Sequence, residues 1–173
     1  MSKKHIMIDI ETMGVRPTSS IISIGAVAFD SAQVYEDEAF EVNVDLESCL
    51  AKGMTIDAST IYWWLGQAEP ARVVFAQNKI GIRAALEQYV VWHESHRPIS
   101  GVWGNGSDFD LTILGNAFDV CRIKKPYTYG MHRCFRTMKN MNAKIDVPDV
   151  GIAHKSLDDA IWQARYMVAL NGG

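Results

Sequence analysis

The 173-residue chain is 48% hydrophobic, 21% charged and 10% aromatic, which excludes disorder, collagen and low-complexity linkers. Its net charge of −3 supplies no basic stripe for a broad grip on duplex phosphates, whereas capture of a short strand end needs few contacts. Three scattered cysteines, Cys49, Cys121 and Cys134, with no C-x-x-C pair, signal neither a disulfide framework nor a zinc ribbon.

The length suits a single domain over 1–173, since a domain takes ~150 residues and a chain of this size buries roughly 70% of its unfolded surface. The basic start Met1–His5 is followed by an apolar stretch that Asp9 and Glu11 break at once, so it is no signal peptide. The longest apolar run, Ile21 to Phe29, is far short of the ~20 residues of a membrane span. Reduced thiols in a cytoplasmic protein are the expectation.

His5 to Glu11, rich in isoleucine, reads as a buried strand. Met13 to Ser20 carries Gly14, Pro17 and three Ser/Thr residues and reads as a turn. Ile21 to Phe29 is a second strand, and Ala39 to Val44 alternates as a half-exposed third. Short turns between the three predict an antiparallel meander. Asp57 is placed to N-cap a helix through Trp63, Trp64 and Leu65, and Pro70 to start another through Phe75. Ile82, Leu86, Tyr89, Val90 and His93 recur at helical spacing. Ile99 to Trp103 is a short strand closed by Gly104-Asn105-Gly106. Helices are expected from Phe109 to Val120, from Arg133 to Met141, and from Ser156 onward. Strands first, then alternating helices and strands, predict an α/β fold with helices covering a mixed sheet.

Three clusters carry candidate chemistry. Asp9 and Glu11, two apart in a strand, point to one face, and adjacent buried carboxylates need a cation between them. Mg²⁺ or Mn²⁺, hard ions with oxygen ligands, suit that place, although D-x-E alone equally describes a frayed strand end. Asp110 opens a helix after a strand and reaches toward the first pair, unless it or Asp108 merely caps the helix. His154 lies in a loop and Asp159 in the first turn of the last helix, where Ser156-x-x-Asp159 also fits a capping box. Taken together, four carboxylates can hold two divalent ions for in-line phosphoryl displacement. A histidine beside them can deprotonate the attacking water, its type titrating near working pH.

Asp9-x-Glu11, Phe109-Asp110 and His154-x-x-x-x-Asp159 resemble the three motifs of the DEDDh 3′–5′ exonucleases, over about residues 5–165. The segment Ile61-Tyr-Trp-Trp-Leu-Gly-Gln67 with W-G-N-G-S-D-F-D is similar to the phage and prophage branch, which holds exodeoxyribonuclease VIII-like and exoribonuclease relatives. The resemblance implies a ribonuclease H-like fold with a mixed five-stranded sheet flanked by helices. It implies Asp9, Glu11, Asp110 and Asp159 as ligands of two ions, Mg²⁺ or Mn²⁺, and His154 as general base. It implies that Thr12, Met13 and Gly14 border the terminal nucleotide of a single-stranded nucleic acid 3′ end, and it leaves a homodimer open. Met13-Gly14 replaces the Thr-Gly of many relatives, the segment Asn105–Phe109 is one residue longer than usual, and Ser156 stands where alanine is common. Trp64 is the candidate base-stacking ring, with Trp63 the alternative, and Phe109 a candidate wedge against a base. The rival functions are a catalytically silent module that binds nucleic-acid ends and a metal phosphoesterase acting on small nucleotides.

Overall fold

A computed structural model describes residues 4–106, 108–142 and 145–171. It begins with β1 (Lys4–Thr12), β2 (Ile21–Phe29) and β3 (Phe40–Asn43), the antiparallel meander that the apolar runs predict. Helices α1 (Leu46–Leu50), α2 (Ala58–Leu65), α3 (Glu69–Arg72) and α4 (Ile82–Ser95) lead to β4 (Ile99–Gly104), which lies parallel to β1. Helix α5 (Asp110–Cys121) crosses to β5 (His132–Cys134), parallel to β4, and α6 (Phe135–Met141) follows at once. Helix α7 (Ser156–Asn171) completes the order. The five strands form one mixed sheet, β3-β2-β1-β4-β5, with β1 at its centre.

The period-two alternation of β1 sorts two cores. Ile6, Ile8 and Ile10 pack with Leu86 and Tyr89 of α4 and with Leu111, Leu114 and Phe118 of α5. Met7 packs on the other face with Phe135 of α6 and with Ala160, Ala164, Tyr166 and Met167 of α7. Each large apolar side chain so buried contributes about 1.5–3 kcal/mol. The same alternation puts Asp9 and Glu11 on the face of Met7, toward α7. Residues Lys4 to Met7 pair with β4, so the last part of β1 runs beyond its parallel neighbour.

Three local expectations change. The helix expected from Arg133 starts at Phe135, because His132–Cys134 form β5, whose first two residues are exposed and show no apolar alternation. The single-turn α1 was not expected; Asp45 caps it by accepting the Ser48 N–H at 3.1 Å. Asp57 stands at the N-cap of α2 but makes no cap bond, since its carboxylate takes the Val15 N–H and pairs with Arg16. Among the described residues no helix is long and apolar enough to cross a membrane.

Candidate active site

The site lies at the C-terminal end of β1. Because β4 ends at Gly104, the Ile10 N–H has no strand partner on that side, and it donates to Asp110 Oδ1 at 3.3 Å. Asp110 Oδ2 accepts the Asn105 N–H at 2.7 Å. The first residue of α5 thus stitches the two strand ends together, and its carboxylate is held beside Asp9 and Glu11. A side chain at Gly104 would press on that carboxylate. Asp108 is exposed, whereas Asp110 is 2% exposed, so the phenylalanine-linked aspartate is the one that enters the site.

Helix α7 brings the remaining groups. Asp9 lies opposite Gly25 on β2, and a side chain at Gly25 would collide with the backbone of Ser156 and Leu157. This glycine lets α7 begin directly on the sheet. One turn on, Asp159 faces Glu11, and Gln163 donates to Asp9 Oδ1 at 2.8 Å. Ser156 makes no capping box with Asp159: its hydroxyl is buried without a partner, and Asp159 Oδ2 instead accepts the His154 N–H at 3.0 Å. His154 has a positive φ of 65°, and its ring meets Trp63 edge-on at 4.9 Å. One donor atom each from Glu11, His154 and Asp159 lies within 4.8 Å of the other two. Asp158 turns away and accepts the Ile152 N–H at 2.9 Å, bracing the loop where Gly151 has φ +52°.

Burial, and for Asp9, Glu11 and Asp159 the neighbouring carboxylates, raise the proton affinity of these acids. Burial first, then Asp110, Glu11 and Asp159, hold Asp9 well above the usual carboxylate range, against the Gln163 bond. Burial, Asp159 and Asp110 push Glu11 up to about 8. Burial lifts Asp110 to about 6, opposed by its bonds from Asn105 and Ile10 and by the Arg136 charge. Burial also raises Asp159, with His154 opposing. Among the described residues no basic side chain forms an ion pair with any of the four. Three buried carboxylates and the half-buried Asp159, none of them in an ion pair among the described residues, are a donor set that fits hard divalent cations.

Two cavities meet at this cluster and share Ile10, Glu11 and Phe109. One, of about 330 Å³, holds the acids, His154 and Gln163 between Phe109 and the α6 residues Phe135, Arg136 and Lys139. The other, of about 380 Å³, is lined by Thr12, Gly14, Val15, Ser59, Thr60, Trp63, Trp64 and Phe109. Thr12, Gly14 and Phe109 border this groove. Met13 does not: its side chain is buried in a small core with Ile22, Trp64 and Ala71. Trp64 is 3% exposed and its Nε1 donates to the Thr12 carbonyl at 3.0 Å, so it braces the wall, while the exposed Trp63 faces the groove. The sequence reading missed Gln163, although it stands four residues after Asp159 on the same helix face. Arg136 and Lys139, three apart on α6, were also missed.

Comparison with known proteins gives the family and the fold. The family model described as the 3′-5′ exoribonuclease Rv2179c-like domain matches residues 4–170. An exodeoxyribonuclease of Enterobacteria phage T4 is 31% identical over 121 residues, which cover 62% of this chain and 52% of the phage protein. The match thus spans about half the length of that relative. Among solved structures, the cell-death related nuclease CRN-4 superposes with a TM-score of 0.66 at 15% identity, over 99% of this chain and 64% of its own. The nuclease domain of 3′hExo, a DEDDh family member bound to rAMP, gives 0.66 at 16% identity over 99% and 94%. E. coli exonuclease I, in complex with an oligonucleotide, gives 0.64 at 15% identity over 98% and 41%. The ribonuclease H-like fold is common to them, and the match along nearly all of the sequence places this chain in the family of 3′-5′ exoribonuclease Rv2179c-like domains.

Proposed function

We propose that the protein is a metal-dependent 3′–5′ exonuclease that hydrolyses the terminal phosphodiester of single-stranded DNA or RNA and releases nucleoside 5′-monophosphates. The observation that carries this reading is the convergence of Asp9, Glu11, Asp110, Asp159 and His154 at one strand end. Asp9, Glu11, Asp110 and Asp159 would hold two divalent ions, Mg²⁺ or Mn²⁺. Such ions supply positive charge to the attacking and leaving oxygens and make water more acidic. His154 takes the proton of the attacking water at a ring nitrogen, and its N–H bond to Asp159 and its contact with Trp63 hold the ring in place. The water oxygen then bonds to phosphorus as the bond to the 3′ oxygen of the upstream nucleotide breaks, and that oxygen takes a proton from solvent to become the new 3′ hydroxyl. The terminal nucleoside occupies the groove of Thr12, Gly14, Trp63 and Phe109, where a base stacked on Trp63 is worth about 1–3 kcal/mol. We place the protein in the cytoplasm.

The test is turnover of a single-stranded oligonucleotide. Excess EDTA abolishes it, Mg²⁺ or Mn²⁺ restores it, and Asp9→Asn and Asp110→Asn eliminate it while the circular dichroism spectrum stays that of wild type. Activity in excess chelator, or in Asp110→Asn, removes the reading. A folded protein that binds strand ends without cutting them supports the silent-module alternative.

A further inference from the structure

We propose that Arg136 and Lys139 of α6 bind the phosphate on the 5′ side of the scissile one, so that the protein prefers strands of three or more nucleotides to dinucleotides and small nucleotide esters. This rests on the exonuclease reading and adds to it the direction in which the strand leaves the site.

Both residues are exposed, three apart on one helix, and line the cavity that contains the four carboxylates. Neither pairs with a carboxylate among the described residues, although acidic residues outnumber basic ones in this chain. Arg136 donates one N–H to the Asn105 carbonyl at 2.7 Å, and the Asn105 N–H in turn holds Asp110. The guanidinium is thereby fixed one residue away from a metal-ligand candidate. It has five donors, and no other acceptor is bonded to it among the described residues. Lys139 Nζ rests 4.7 Å above the Trp162 ring and 5.9 Å from that of Tyr166. An aromatic platform orients an ammonium without neutralising it.

The two cavities differ in chemistry and meet at Glu11 and Phe109. The aromatic groove on one side suits a nucleoside, and the basic wall on the other suits phosphate. A strand whose terminal nucleoside fills the groove and whose scissile phosphate lies at the carboxylates must run out past α6. Its next phosphate then meets Arg136 and Lys139. The forked guanidinium suits two phosphate oxygens and the ammonium a third.

The experiment compares wild type, Lys139→Gln and the double variant Arg136→Gln/Lys139→Gln. Binding of a fluorescent single-stranded oligothymidylate is followed by anisotropy in Ca²⁺ over a range of salt concentrations. Loss of this one phosphate contact reduces the slope of log affinity against log salt by about 0.7, so the double variant is shallower by about that amount. In the turnover arm, with Mn²⁺, the wild-type KM falls about tenfold from a dinucleotide with one phosphate to a trinucleotide with two. In the double variant this step shrinks below about twofold. Lys139→Gln touches only the rings of Trp162 and Tyr166, so its smaller slope change reads out the site even where loss of Arg136 loosens Asn105. An unchanged slope, an undiminished length step, or an equal loss on dinucleotide and trinucleotide overturns the proposal. A wild type that cuts neither substrate but shows the slope change overturns the exonuclease reading and leaves the phosphate site standing.

Discussion

Replacing Glu11 by Gln stabilises the metal-free protein strongly at pH 8 and by less than about 1 kcal/mol at pH 5. In the fold, burial and the nearby Asp159 and Asp110 push Glu11 from 4.5 up to about 8. Between those values the folded state binds more protons than the unfolded state, so stability falls as pH rises through the window. Below about pH 4.5 the penalty is absent, and above about pH 8 it is complete. At 1.36 kcal/mol per pH unit the full penalty is on the order of 5 kcal/mol, of which about 4 kcal/mol has developed at pH 8. For a chain of this length each kcal/mol moves Tm by about 2–4 °C, so Glu11→Gln should melt roughly 8–15 °C above wild type at pH 8 in EDTA. Gln keeps the size of the side chain and removes only the charge. Saturating Mn²⁺ should raise the Tm of wild type strongly and that of the variant much less, closing the gap. The assay is thermal melting at pH 5 and 8, with and without metal. Equal melting temperatures at both pH values in EDTA, or a gap that is larger at pH 5, would refute the idea that these carboxylates are held together against their own repulsion.

His154→Ala should reduce kcat by about 10²–10⁴-fold with Tm and Mn²⁺ affinity near wild type; a matching loss of metal affinity by calorimetry would make His154 a ligand instead of the base. Trp64→Ala removes a buried, hydrogen-bonded ring and should cost about 3–5 kcal/mol in denaturant unfolding. Trp63→Ala should keep the wild-type unfolding midpoint and weaken single-strand binding by about 1–3 kcal/mol; the opposite assignment of the two effects would show that the groove wall has been read the wrong way round. Gly25→Val drives a side chain into the start of α7 and should cost about 1–3 kcal/mol or more, together with the metal-induced rise in Tm. A Gly25→Val protein with normal metal stabilisation would separate the seating of α7 from the assembly of the site.

The carboxylates were legible because their geometry is local. Asp9 and Glu11 share a face through strand periodicity, and Asp110 and Asp159 each open a helix, where polar residues at the first turn are easy to place. The His154-x-x-x-x-Asp159 spacing selects Asp159 over Asp158, and in the fold Asp158 braces the Ile152 N–H while Asp159 takes that of His154. Adjacent tryptophans about 100° apart on a helix imply that one turns inward, but only the Thr12 carbonyl and the packing of Phe75 decide that it is Trp64. The importance of Gly25 was invisible, since a glycine inside an apolar strand gives no hint that the helix starting at Ser156 begins on it. Strand β5 escaped notice because three residues on a sheet edge, two of them exposed, carry no periodic signal. Arg136 and Lys139 stood out only once the sheet brought α6 beside β1.

The central claim is stepwise hydrolysis from a 3′ end, and the time course of one oligonucleotide carrying a label at either end tests it directly. With Mg²⁺ or Mn²⁺, a 3′-labelled strand should release its label at once as a nucleoside monophosphate. The 5′-labelled strand should shorten one nucleotide at a time into a descending ladder, and both reactions should stop in EDTA. Early release of a labelled mononucleotide from the 5′ end, internal fragments, or cutting that continues in excess chelator would contradict it.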